Sequence, residues 1–124
     1  MRLNIDCIRD ILLTIESAKF NQTFTLPELC KELSKYNKDE IHYTCAKLCE
    51  GKYLDAVMKP YPGKVVPAII RINGLTYEGH KFVDTIRDSK IWAKTKSKIG
   101  QLASVSLNVV EAVAGQAITE LLFK

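Results

Sequence analysis

The sequence predicts a mainly α, α+β fold in which helices precede and follow a two-stranded hairpin and a long helix ends the chain. Apolar residues recur at helical spacing over residues 4–50, two short β-forming runs then flank a Pro- and Gly-containing loop, and helical spacing returns afterwards. The chain has 124 residues, 47% apolar and 26% charged. This length is enough to bury the core of a domain without metal or disulfides.

The first helix is predicted over residues 4–18, with Asn4 as its N-cap. Its apolar stripe consists of Ile5, Ile8, Ile11, Leu12 and Ile15. A second, short helix is predicted to open at Thr25. Pro27 falls in the first turn of this helix, where proline is favoured. Glu28 stands three residues after Thr25, as in a capping box.

A third helix is predicted over residues 38–50, because Gly51 stands where a C-cap glycine belongs. The pattern then changes to two β-rich runs, residues 53–58 and 65–72, which are joined by the turn-rich residues 59–64. Two such runs around a Pro/Gly loop predict a β-hairpin.

A fourth helix is predicted to start behind Thr76, followed by a short helix or a bend over residues 89–94. A single long helix is predicted over residues 99–122, since its polar residues form one narrow seam. We therefore expect a first domain over residues 1–88 and a C-terminal helical extension over residues 89–124.

This order of elements resembles a winged helix-turn-helix domain. Residues 38–54 resemble its recognition helix, glycine stop and first wing strand, and residues 75–83 (LTYEGHKFV) resemble the LTxxGxxF segment that follows the wing. Nearly the whole chain is similar to a family of small bacterial and phage proteins known only as a domain of unknown function, most clearly over residues 1–9, 79–88 and 91–96. That resemblance implies a winged-helix fold and brings no function with it.

A winged helix-turn-helix would place the third helix in the major groove of DNA and the hairpin beside the backbone. Residues 57–73 carry three basic and no acidic residues, which suits phosphate contact. Asp39, Glu40 and the lack of arginine on the third helix disfavour base reading. The candidate DNA contacts are Lys38, His42, Tyr43, Lys47, Lys59, Tyr61, Lys64 and Arg71.

The apolar surface of the C-terminal helix is wider than one neighbouring element normally covers. A symmetric homodimer is the commonest way to cover the remainder. The candidate interface residues are Leu102, Leu107, Val110, Val113, Ala114, Ala117, Ile118 and Leu121. These observations predict a dimeric DNA-binding protein, such as a phage or mobile-element regulator; the alternative is a winged-helix module that binds another protein.

Several other classes are not expected. The opening residues lack the apolar stretch of a signal peptide, so a cytoplasmic protein with four reduced thiols is predicted. Cys45, Cys49 and His42 share a helical face but lack further metal ligands, and no metal or cofactor is predicted. No nucleophile motif or phosphate loop indicates an enzyme or a catalytic residue. Glu111 near the centre of the last helix argues against a membrane span.

Overall fold

A computed structural model describes residues 1–100 and 106–123 of the chain. These residues form six α-helices and one two-stranded antiparallel sheet, which confirms the predicted α+β class. In chain order the elements are α1 (Ile5–Glu16), α2 (Leu26–Glu32), α3 (Lys38–Glu50), β1 (Leu54–Lys59), β2 (Ala68–Leu75), α4 (Tyr77–Ile86), α5 (Ser89–Ile99) and α6 (Leu107–Leu122). The chain divides into two units, Met1–His80 and Lys81–Lys124.

Side-chain caps start the first three helices. The Asn4 side chain accepts hydrogen bonds from the backbone amides of Asp6 and Cys7. Thr25 and Glu28 form the predicted capping box, with the Glu28 amide 3.4 Å from Thr25 Oγ1. The Asn37 side chain caps α3 by accepting a hydrogen bond from the Glu40 amide at 2.8 Å. These caps satisfy amides that have no partner inside the helix, and they fix where each helix begins.

The end of α3 differs from the prediction in one detail. Gly51 keeps right-handed helical geometry (φ −78°), and the left-handed position falls on Lys52 (φ 66°). The Tyr53 amide donates to Leu48 O at 2.8 Å, and the Lys52 amide donates to Cys49 O at 3.0 Å. This pair of bonds is a Schellman motif with lysine in the position that glycine usually takes.

The core of the first unit lies between α1, α2, α3 and the inner face of β2. Its helices meet because each one turns its apolar stripe toward the other two. The largest fully buried side chains of this unit are Ile8, Ile11, Leu12, Leu29, Ile41, Leu48 and Ile72.

The hairpin is irregular, and a third segment joins it. Strands β1 and β2 pair from Leu54–Leu75 to Lys59–Ala68, with two register shifts along the way. On the far side of β2, Phe24 pairs with Ile72 through two backbone hydrogen bonds of 2.9 and 2.7 Å. The residues between α1 and α2 therefore contribute a minimal strand, which the sequence pattern did not predict.

The segment before α4 binds the hairpin base as well as capping the helix. The Thr76 hydroxyl donates to Lys52 O at 2.5 Å and accepts from the Gly79 amide at 3.0 Å. The Thr76 amide donates to Tyr53 O at 3.1 Å. A Cβ on Gly79 would lie 2.1 Å from that same Tyr53 oxygen. Glycine is thus required here by close backbone approach, as the LTxxG resemblance implies.

In the second unit, the predicted single helix over residues 99–122 is wrong. Helix α5 ends at Ile99 with Gly100 as its C-cap, and α6 begins at Leu107, where the Ser106 side chain caps the Val109 amide. Helices α5 and α6 pack on each other, and Glu120 on α6 pairs with Lys94 at 2.5 Å and Lys98 at 3.1 Å on α5. Within the described residues, no helix is both long enough and apolar enough to span a bilayer.

Candidate nucleic-acid interface

Helix α3 presents the residues predicted to contact DNA, but they differ in accessibility. Lys38 is exposed at the start of the helix, whereas His42 and Tyr43 are half-buried. Lys47 pairs with Glu50 at 3.1 Å, and its ammonium lies 5.6 Å from the centre of the Tyr43 ring. The first turn of the helix is therefore more accessible than its middle.

The loop of residues 60–67 accounts for this difference. His42 Nε2 lies 2.7 Å from Pro67 O, at the end of the loop that leads into β2. Side chains of this loop and of α3 line a shared cleft of about 440 Å³. A second cleft, of about 250 Å³, lies between the same two segments. The end of the loop thus contacts the middle of α3 at His42, a contact that no pattern in the sequence indicated.

The hairpin carries a group of exposed cations. Lys59, Lys64 and Arg71 are all exposed, and Tyr61 is 55% exposed beside them. The Arg71 Nε donates to Asn73 Oδ1 at 3.0 Å. Because the asparagine side chain is neutral, this bond does not compensate the charge of Arg71. Since residues 57–73 contain no carboxylate side chain, we call the set Lys59, Lys64 and Arg71 the basic hairpin.

The two acidic residues at the start of α3 face different surroundings. Glu40 is half-buried and accepts a hydrogen bond from the Asn4 amide group at 3.4 Å. Asp39 is exposed. Asp39 is therefore the main source of negative charge on the outer face at this end of the helix, and the helix N-terminus stabilises that charge.

The C-terminal residues predicted to form a dimer interface also fall into separate groups. Val110, Ala114 and Ala117 are buried inside the second unit, so they have no surface to offer a partner. Leu107, Val113 and Ile118 are half-buried, Leu121 is exposed, and Leu102 lies outside the described residues. The most accessible apolar residues of this segment are Val109, Leu121, Leu122 and Phe123.

The four cysteines are free thiols in the first unit. Cys7 and Cys45 are fully buried, while Cys30 and Cys49 are half-buried. Burial raises the pKa of Cys7 and of Cys49 to about 11 and raises the pKa of Cys45 further. Across residues 1–100 and 106–123, no cluster of His, Cys, Asp and Glu has an arrangement suited to a metal ion.

We expect Cys30 to react first with a thiol reagent. It is half-buried on the short helix α2, and burial raises its pKa while the nearby Lys38 opposes the rise, whereas burial raises the pKa of Cys49 to about 11. With 5,5′-dithiobis(2-nitrobenzoate) at pH 8, we expect one thiol to react in a fast phase. The buried thiols should react only when the protein unfolds. Cys30→Ser should remove the fast phase and Cys49→Ser should keep it; the reverse result would contradict the prediction.

The structure and its charged surface define an α+β protein with a basic hairpin packed beside its third helix. Residues 2–106 match the family described as "Hypothetical protein (DUF2513)", and the chain belongs to that family. Over 123 residues it is 27% identical to an uncharacterized protein of Haemophilus influenzae (strain ATCC 51907 / DSM 11121 / KW20 / Rd), an alignment that covers 98% of this chain and 99% of that protein. No solved structure matches. The predicted relationship to a family of unknown function is thereby confirmed.

Proposed function

We propose that this protein is a winged-helix DNA-binding protein that acts as a dimer and contacts DNA mainly through phosphates. The basic hairpin is the observation that carries the proposal. Its three exposed cations lie on one hairpin, and Lys38 at the start of α3 is exposed as well. Clustered cations of this kind supply the sequence-independent part of DNA affinity.

Two features of the first unit support the winged-helix assignment. The order of α1, α2, α3, β1, β2 and α4 is that of a winged helix-turn-helix. The pairing of Phe24 with Ile72 adds a strand between α1 and α2 to the outer side of the hairpin. In the proposed arrangement α3 is the recognition helix, and β1, β2 and their loop form the wing.

The loop packing favours phosphate contact over base reading. Residues of α3 that would have to reach base edges, His42 and Tyr43, are half-buried, and Pro67 lies against the first of them. Helix α3 also lacks arginine, the residue that most often reads guanine. We therefore expect weak dependence on DNA sequence.

A binding titration on mixed-sequence duplex DNA tests the proposal. If Lys38, Lys59, Lys64 and Arg71 each neutralise a phosphate, the slope of log K against log salt is about −3.6 per protomer. Between 50 and 200 mM salt the affinity should then fall about 150-fold per protomer. No binding at 50 mM salt, or binding that is insensitive to salt, would refute the proposal.

The dimer is proposed through the exposed apolar end of α6. Leu121 is 58% exposed and Phe123 is 81% exposed, so a second copy could bury both without unfolding the α5–α6 pair. Light scattering of the full chain should give a dimer at micromolar concentration, and Leu121→Lys should shift it toward monomer. Asn108→Lys, a change at an exposed polar position of the same helix, should leave the dimer intact. A monomeric full chain would contradict this proposal.

A second candidate function is a winged-helix module that binds another protein. The observation that favours it is the contact of Pro67 with His42, since a recognition helix that is partly covered at its middle is less suited to enter a groove. The salt titration separates the two candidates, because a protein-binding module has no reason to gain affinity for duplex DNA at low salt.

A further inference from the structure

The cleft of about 440 Å³ between α3 and the loop has the size and lining of a small-molecule site. It lies wholly within the first unit, and residues of both segments form its walls. The side chains on which the argument rests are Asp39, His42, Tyr43, Tyr61, Lys64 and Val66.

The cleft combines two opposite charges that the protein leaves unused. Asp39 comes from the α3 wall and Lys64 from the loop wall. Among the described residues, neither side chain has a hydrogen-bonding or ion-pairing partner, and the two do not pair with each other. A ligand that carries both a cation and an anion could therefore satisfy both groups at once.

Apart from Met1 and from His42, whose Nε2 lies 2.7 Å from Pro67 O, the rest of the lining is aromatic and aliphatic. Tyr43 contributes from α3 and Tyr61 from the loop, while Val65, Val66 and Ala68 add apolar surface. Phenol rings pack well against planar apolar groups and keep a polar hydroxyl for solvent or ligand. A purely ionic ligand would leave this surface uncovered.

We propose that the cleft binds a zwitterionic α-amino acid with an aromatic side chain. The ammonium group lies toward Asp39, the carboxylate toward Lys64, and the ring packs on Tyr43 and Tyr61. A simple anion would leave Asp39 unpaired, and a simple cation would leave Lys64 unpaired. The site shares Lys64 with the basic hairpin, but ligand binding does not depend on DNA binding, and its test contains no DNA.

Three probes with one carbon skeleton test this proposal. L-Phenylalanine carries both charges, 3-phenylpropionate lacks the ammonium, and phenethylamine lacks the carboxylate. Each is titrated at pH 7 into the full ¹⁵N-labelled chain, and amide chemical shifts are followed. L-Phenylalanine should shift signals of residues 38–43 and 60–68, and it should bind about fivefold more tightly than either analogue, as expected for an exposed ion pair.

Variants then assign each charge to its partner. In Lys64→Gln, L-phenylalanine should lose about fivefold in affinity and become equal to phenethylamine. In Asp39→Asn it should become equal to 3-phenylpropionate. Lys59→Gln removes a hairpin charge outside the cleft lining and should leave all three affinities unchanged.

Three results would overturn the proposal: no shifts with L-phenylalanine, equal binding of the three probes to the unmodified chain, or the same loss in Lys59→Gln as in Lys64→Gln. A melting curve for each variant shows that it is folded, so loss of binding cannot be mistaken for loss of structure.

Discussion

Gly79→Ala should lower the free energy of unfolding by about 2 to 4 kcal/mol. The new Cβ would lie 2.1 Å from the backbone oxygen of Tyr53, far inside the contact distance of two heavy atoms. The clash cannot be relieved by a side-chain rotation, because the atom that the Cβ meets belongs to the backbone. Two hydrogen bonds hold the Tyr53 backbone in place. Its amide donates to Leu48 O at 2.8 Å, and its oxygen accepts from the Thr76 amide at 3.1 Å.

Urea unfolding followed by circular dichroism at 222 nm measures this change. Gly115→Ala is the matched control, since a Cβ on that helical glycine meets nothing within 4 Å. Alanine in a helix interior is better than glycine by about 0.5 to 1 kcal/mol, so the control should be stabilised. Equal effects of the two substitutions would contradict the role given to Gly79.

The double change Lys59→Glu/Lys64→Glu should weaken duplex DNA binding about 100-fold at 0.1 M salt. Both lysines are exposed on the basic hairpin. Losing two phosphate contacts should make the salt slope shallower by about 1.8, and the new carboxylates add repulsion from the DNA backbone. Fluorescence anisotropy of a labelled duplex at several salt concentrations gives both quantities.

The control for this experiment changes net charge equally at other sites. Lys19→Glu/Lys90→Glu reverses two exposed lysines outside the hairpin and outside α3. It should reduce affinity only through the general charge of the protein, by less than about tenfold. If both double variants lose the same affinity, binding depends on net charge and the basic hairpin is not the interface.

Local signals in the sequence predicted much of the fold. The caps at Asn4 and Thr25 depend on residues within one helical turn, so they could be identified from spacing alone. The bounds of α3 followed from the same kind of signal. The close approach at Gly79 followed from resemblance to a known motif, and the structure supplies its cause in the Tyr53 oxygen.

The sequence does not predict features that depend on contacts between residues far apart along the chain. Phe24 pairs with a residue 48 positions later (72 − 24), and a single paired residue leaves no alternating pattern in the sequence. The packing of Pro67 on His42 likewise joins segments 25 positions apart. It changes the candidate site most, because it half-buries side chains that a helical wheel places outside.

The sequence contains signals for the break between α5 and α6, but the apolar periodicity outweighs them. Gly100 is a C-cap and Ser106 an N-cap, and both residue types are common at those positions. Because the apolar spacing resumes in a compatible phase, the sequence pattern predicts one helix where the structure has two. The error matters, since three of the predicted dimer residues pack inside the pair that the break creates.

The two ends of the hairpin should tolerate change to very different degrees. At the base, Thr76 is bonded to Lys52 O and Tyr53 O, so the strands are tied together whatever the loop does. At the tip, Gly63 has a positive φ and open space around it. Because the entropy of closing a loop grows only with the logarithm of its length, doubling the loop costs about 0.6 kcal/mol. Added length at the tip should therefore cost little folding stability, and the same position could accept an inserted epitope tag.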